Sequence, residues 1–112
     1  MIESTNYILY VKSYVKEIDF YKMEEINKKL ERGEYTGFKN MRIVYDNEHL
    51  DIEADDYLGT YEDAEKFVRD LSEVIVDGYL EIYFTSYDAE QNSGYRVFPN
   101  KVRKLKWEYG EI

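Results

Sequence analysis

Acidic side chains at short, regular spacing are the groups in this sequence best placed to do chemistry. Asp51, Glu53 and Asp55 recur at every second position, and Asp56, Glu62 and Asp63 follow them. Along an extended strand, alternation puts Asp51, Glu53 and Asp55 on one side, about 6.6–6.8 Å apart. That spacing is roughly that of phosphates along a nucleic-acid strand, so the row can fill a phosphate-binding groove on another protein. Tyr57 and Tyr61 lie close by in sequence and are the aromatic anchors such a contact would use. The same side chains also carry the ligand spacing of a calcium loop. With Asp51 as the first position, Glu53, Asp55, the Tyr57 carbonyl and Glu62 fall where an EF-hand places its ligands. Three departures weigh against calcium. Asp56 stands where the sharp turn needs Gly, Glu53 stands where Asp or Asn is usual, and the segment entering the loop has a strand pattern. The expectation is therefore no metal and no cofactor, with calcium at Asp51, Glu53, Asp55 and Glu62 as the alternative.

Other chemistry finds less support. His49 is the single histidine and there is no cysteine, so neither a second imidazole nor a thiolate completes a zinc site. Among 24 acids some close carboxylate pair is inevitable, which makes general acid–base work a weak inference. Ser72, Ser86 and Ser93 have no nucleophile motif around them, and no phosphate-cradling glycine loop occurs. Binding rather than catalysis is expected. A second cluster opposes the acids: from residue 91 to 107 there are five bases (Arg96, Lys101, Arg103, Lys104, Lys106) and no acid. Mixed with Tyr95, Phe98 and Trp107, these could hold single-stranded nucleic acid by stacking and phosphate contact. Strand parity, however, separates Arg103 and Trp107 from Lys104 and Lys106. The bases are expected to offset acids within the fold or between subunits, and nucleic-acid binding through Tyr95, Arg96 and Trp107 is the alternative.

Nine acids and no Lys or Arg lie between residues 46 and 65, a surplus equal to the net charge of −9 of the whole chain. With 112 residues, 44% hydrophobic and 17% aromatic content, one globular domain is expected despite 35% charged residues. The thirteen tyrosines suit half-buried sheet faces and contact surfaces alike. No apolar run approaches the ~20 residues that span a bilayer, and the N-terminus has no signal-peptide pattern. A soluble, cytoplasmic protein that binds neither membrane nor, directly, nucleic acid is the expectation.

The elements that must position these groups follow from periodicity. Residues 7–15 read as a strand with apolar side chains on both parities, covered on both faces or bent near Ser13. Asp19 is the expected N-cap of a helix over 20–32, with Phe20, Met23, Ile26 and Leu30 as the buried stripe and Gly33 as the stop. Met41, Ile43 and Tyr45, then Leu50, Ile52 and Ala54, predict a β-hairpin turning at residues 46–49. Thr60 to Asp63 resembles a capping box. It would open a second helix with Ala64, Phe67, Val68, Leu71, Val74 and Ile75 inward, ended by Asp77-Gly78. A half-buried strand over 79–85, a polar loop over 88–94 and a terminal hairpin around residues 99–101 complete the chain. The order β-α-β-β-α-β-β-β predicts a two-layer α+β domain, with two helices on a mostly antiparallel sheet of five to six strands in a ferredoxin-like variant.

In overall character, and in its run of acids, the chain resembles the small acidic inhibitor proteins of phages and mobile elements, the anti-CRISPR and anti-restriction proteins of the DNA-mimic type. The resemblance implies a partner that is itself a basic nucleic-acid-binding protein, such as a CRISPR or restriction nuclease. Its groove would be occupied by Asp51, Glu53, Asp55, Asp56, Tyr57, Tyr61, Glu62 and Asp63. A self-associating structural or regulatory domain, a homodimer pairing acidic and basic hairpins, is the alternative from another class.

Overall fold

The structure, a computed structural model, describes residues 6–35, 38–46, 49–57, 61–86 and 92–105; side chains are described for 11–35, 41–46, 49–53, 63–84 and 94–105. It is an α+β domain; among the described residues there are two helices and six strands, in the order β1 (Asn6–Ile18), α1 (Phe20–Glu31), β2 (Phe38–Asp46), β3 (His49–Tyr57), α2 (Tyr61–Ser72), β4 (Ile75–Ser86), β5 (Asn92–Phe98) and β6 (Lys101–Leu105). All strand pairs are antiparallel. The strands form not one sheet but two, a four-stranded sheet in the order β1-β4-β5-β6 and the β2-β3 hairpin.

The hairpin nevertheless stands beside β1. At this seam the Leu50 N–H donates to Ser13 Oγ at 3.2 Å, so a side-chain hydroxyl takes a bond that a strand carbonyl would otherwise accept. The Tyr45 hydroxyl reaches the Lys16 carbonyl at 3.3 Å. Neighbours therefore run β2-β3-β1-β4-β5-β6, with β3 and β4 flanking β1 as a ferredoxin-like variant requires, but without a β1–β3 ladder. The register shifts of β1 against β4 near Ile8 and Val15 add to the bending of this long strand.

Local chemistry explains α1. Asp19 is extended, and its Oδ1 accepts from the backbone N–H of Tyr21 and of Lys22, satisfying two donors that no helical carbonyl reaches. Gly33, at φ 74°, provides the left-handed residue that ends the helix. Ile26 and Leu30 are buried and Met23 packs against them, but Phe20, expected in the stripe, is 56% exposed and meets Tyr45 edge-on at 5.7 Å. The first turn of α1 overhangs the core. Asn27 closes the free edge of β2: its Oδ1 accepts from the Ile43 N–H at 2.8 Å and its Nδ2 donates to the Ile43 carbonyl at 3.0 Å. An amide side chain thus supplies the pair of bonds a neighbouring strand would have made.

The end of α2 corrects the sequence reading. Helical spacing of Val74 and Ile75 carried the predicted helix to Asp77-Gly78, whereas α2 stops at Ser72 and β4 begins at Ile75. Both residues are buried, one in the turn and one at the start of the strand, so apolar residues continue at helical spacing where the helix has already ended. Gly78 is inside β4, opposite Val15, and serves a different purpose. Its φ is 91°, and a Cβ there would lie 2.8 Å from Val15 Cα and 2.9 Å from Lys16 N, and closer still to the Tyr14 carbonyl. The predicted capping box at Thr60 and residues 88–91 of the predicted polar loop lie outside the described residues, while residues 92–94 of that loop belong instead to β5, paired with β4.

One cluster forms the core. Ala64, Phe67, Val68 and Leu71 of α2, with Ile26 and Leu30 of α1, pack on Val15, Leu80, Ile82, Phe84, Tyr95 and Val97 of the large sheet and on Met41, Ile43 and Leu50 of the hairpin. Burying each such aliphatic or aromatic side chain contributes about 1.5–3 kcal/mol before conformational entropy is counted. Because both sheets turn their apolar face to this core, their other faces both look away from the helices.

Candidate functional site

The acidic row forms part of the outer face of the hairpin. Strand β3 is continuous through residues 49–57, so Asp51, Glu53 and Asp55 occupy alternate positions on the face opposite Leu50, Ile52 and Ala54. Glu53 is exposed and Asp51 half-buried, with Asp51 Oδ1 accepting from the Ile52 N–H at 2.8 Å. Asp56 falls on the other parity, at a register position with the apolar set, and so leaves the row. The hairpin also brings bases to the acids. Arg42 lies directly across from Glu53 and Lys39 across from Asp56, which no reading of the segment from 46 to 65 alone could show. Asp46, exposed, and His49, exposed, face each other at the turn end of the same outer face. Asp63 is half-buried in the first turn of α2. The side chains of Asp55, Asp56, Tyr57, Tyr61 and Glu62 lie outside the described residues, although their backbone positions on β3 and α2 are described.

Strand geometry also bears on calcium. Residues 51 to 57 would form the first half of a coiled loop in an EF-hand, yet they run as a paired strand, which sets alternate carboxylates side by side rather than converging on one point. Among the described residues no group of three His, Asp or Glu side chains is placed to share a cation.

The outer face of the four-stranded sheet carries groups that sequence reasoning did not bring together. Register aligns them in ranks across the strands. Tyr14, Tyr79, Phe98 and Lys101 make one rank; Lys12, Glu81, Arg96 and Arg103 make the next; the positions of Tyr10, Tyr83, Gly94 and Leu105 make the third. In the first rank Tyr14 stacks on Tyr79 with centroids 4.8 Å apart, and Tyr79 meets Phe98 at 5.6 Å. A cation lies over each ring: Lys12 at 5.9 Å from Tyr14, Arg96 at 5.5 Å from Tyr79 and Lys101 at 6.0 Å from Phe98. In the second rank Glu81, only 8% exposed, accepts at Oε2 from Arg96 Nη2 at 2.7 Å and Nε at 2.9 Å, while Oε1 accepts from the Tyr83 hydroxyl at 2.9 Å. The carboxylate holds the guanidinium charged and pushes the Arg96 pKa further up. In the third, the Tyr83 ring covers Gly94, where a Cβ would come within 2.7 Å of it.

The basic-aromatic cluster divides between the two faces. Tyr95 is buried on the helix side, against Phe84, so it presents no ring to solvent. Lys104 also turns to the helix side, where its Nζ lies 3.6 Å from Glu65. Arg96, Lys101 and Arg103 face outward, as parity predicts for Arg103; Lys106 and Trp107 lie outside the described residues. Between α2 and the β5–β6 hairpin there is a cleft of about 230 Å³ bounded by Glu65, Arg69, Val102 and Lys104, smaller than the ~300–1,000 Å³ usual for small-molecule sites.

A polar pair joins the segment after α1 to α2. Tyr35, 1% exposed, donates its hydroxyl to Asp70 Oδ2 at 2.5 Å and sits edge-on to Phe67, with Lys29 3.7 Å from the same carboxylate oxygen. Burial, and then the hydrogen bond to Asp70, push the phenol well above its usual range. This locks the segment after α1 onto α2 and is a structural contact.

Comparison of the chain with family models, with curated proteins and with solved structures finds no match.

Proposed function

We propose that this domain is a non-catalytic, acidic protein-binding inhibitor, engaging a basic nucleic-acid-binding protein through the outer face of the β2–β3 hairpin. The observation that carries the reading is the position of Asp51 and Glu53, with Asp55, at alternate outward positions of one continuous strand, Asp46 adding a further acid at the turn end of that face. Arg42 is the cross-strand base that tempers the row. A nuclease of the CRISPR or restriction class is the partner type that the resemblance in overall character names, its Lys/Arg groove being shaped for a phosphate backbone. Tyr57 extends the contact at the far end of β3, and Tyr61, Glu62 and Asp63 follow at the start of α2, whereas Asp56 sits on the other parity of the strand. Inhibition would be competitive exclusion of the nucleic acid, fast to form at low salt and weakened as salt rises.

The test is direct binding to purified nucleases of both classes, measured across a salt series with duplex DNA as competitor. Wild type binds and is displaced by DNA, and the triple variant Asp51→Lys, Glu53→Lys, Asp55→Lys does not bind. Binding that survives the triple reversal, or that DNA does not displace, overturns the proposal.

A further inference from the structure

We infer that the outer face of the sheets is a self-association surface, and that its occupant is a second copy of this chain packed face to face about a two-fold axis. Along the neighbour order β2-β3-β1-β4-β5-β6, the outward side chains at one end include Asp46, Asp51 and Glu53, and those at the other end include Lys101 and Arg103. Arg96, between them, is already matched by Glu81. A two-fold axis lying along the strands between β1 and β4 reverses this order. It sets the acidic hairpin of each copy over the basic hairpin of the other, making both charge contacts at once, as an isologous interface requires.

Midway across the strand order, at the level where β5 ends and β6 begins, the face carries side chains suited to an interface. There Tyr14, 42% exposed, stacks with Tyr79, beside Phe98. Aromatic side chains are enriched at the cores of such contacts. The broad face of the molecule, spanned by axes of 39 and 34 Å, exceeds the ~800 Å² per partner of a standard interface.

Ring geometry argues against the other occupant such a face suggests, single-stranded nucleic acid. A base needs an open ring face to stack on. Tyr14 and Tyr79 stack on each other with 29° between their planes, and Lys12, Arg96 and Lys101 lie over the rings of Tyr14, Tyr79 and Phe98. Nucleobases would have to break these contacts, whereas a second protein surface can pack against ring edges and hydroxyls as they stand.

This inference does not rest on the inhibitor proposal, although both use Asp46, Asp51 and Glu53. Occupation of the face by a second copy covers the hairpin, so the dimer and a basic partner compete.

The experiment is sedimentation velocity at low and high salt on the whole chain and two charge-reversed variants, Asp46→Lys with Glu53→Lys, and Lys101→Glu with Arg103→Glu. All four side chains are exposed, and circular dichroism checks that each variant folds. Wild type is expected at about twice 13.5 kDa at low salt and to dissociate as salt rises. Each variant alone associates at least about tenfold more weakly, because like charges then meet at both contacts. An equimolar mixture of the two variants recovers the dimer, since every contact is again between opposite charges. A wild-type monomer at low salt, a dimer insensitive to both reversals, or failure of the mixture to recover overturns the inference. So does a monomer that shifts single-stranded RNA or DNA in a gel through Lys101 and Arg103, which assigns the face to nucleic acid. The Lys101→Glu, Arg103→Glu variant keeps the acidic strand intact. Its binding to a nuclease therefore separates failure of this inference from failure of the inhibitor proposal.

Discussion

Two glycines with left-handed backbones allow the close approach of β1 to β4 to be measured. Gly33 has φ 74° with nothing within 4 Å of where a Cβ would stand; Gly78 has φ 91° with the backbone of Tyr14, Val15 and Lys16 in the way. Alanine at either site pays for a positive φ, about 1–2 kcal/mol. Gly33→Ala should cost no more than that. Gly78→Ala adds a clash with backbone atoms that no rotamer change relieves, so β1 must move away, disturbing the pairing of Tyr14 with Tyr79 and of Val15 with Gly78. Its total is expected at roughly 3–5 kcal/mol, a large share of the ~5–15 kcal/mol that stabilises a domain. Urea unfolding followed by circular dichroism, with slopes compared to test two-state behaviour, gives both values. Equal losses for the two variants would refute the steric reasoning, because the backbone term is common to both and only the approach of β1 differs.

Three further outcomes are expected. Tyr35→Phe, which leaves Asp70 a quarter exposed and still near Lys29, should cost about 1–2 kcal/mol at neutral pH. Its pH dependence is more specific. The phenol stays protonated in the folded state beyond its ordinary value of 10.0, so above about pH 10 the unfolded chain loses a proton that the folded chain keeps, and stability falls as pH rises further. Unfolding midpoints between pH 9 and about pH 11.5 should decline more steeply in wild type than in Tyr35→Phe, and parallel curves would remove this assignment. Asn27→Ala strips both bonds from Ile43 on the β2 edge and should cost about 1–3 kcal/mol by thermal or urea unfolding; a loss below 0.5 would mean that water replaces the amide fully. Asp19→Ala removes the cap of α1 and should cost about 1 kcal/mol, with Asp19→Asn nearly neutral in the same assay.

Much of the fold was legible because it rests on local physics. The Asp19 cap, the Gly33 stop, the alternation of Met41, Ile43 and Tyr45 and the antiparallel pairing that sets Asp46 opposite His49 each depend on residues close in sequence, and all are present. Local pattern misleads where one signal serves two structures. Val74 and Ile75 continue a helical spacing and are buried, yet a turn and a strand bury them equally well. Phe20 opens an apolar stripe whose later members, Ile26 and Leu30, are buried, but at the first turn it lies beyond the reach of the core.

The site divides along the same line. Composition and spacing alone determine the acidic surplus of residues 46 to 65 and the alternation of Asp51, Glu53 and Asp55, since the period of a strand is a property of the backbone. Register determines everything those charges meet. Pairing across the hairpin sets Arg42 against Glu53, and pairing across four strands gathers Tyr14, Tyr79, Phe98 and Lys101 from positions spread between residues 14 and 101. Hydrophobic burial on the opposite face fixes that register, because a slip of one residue would turn every core side chain to solvent. The outer face is thus aligned by the inner one, and only the folded chain can show which charges and rings become neighbours.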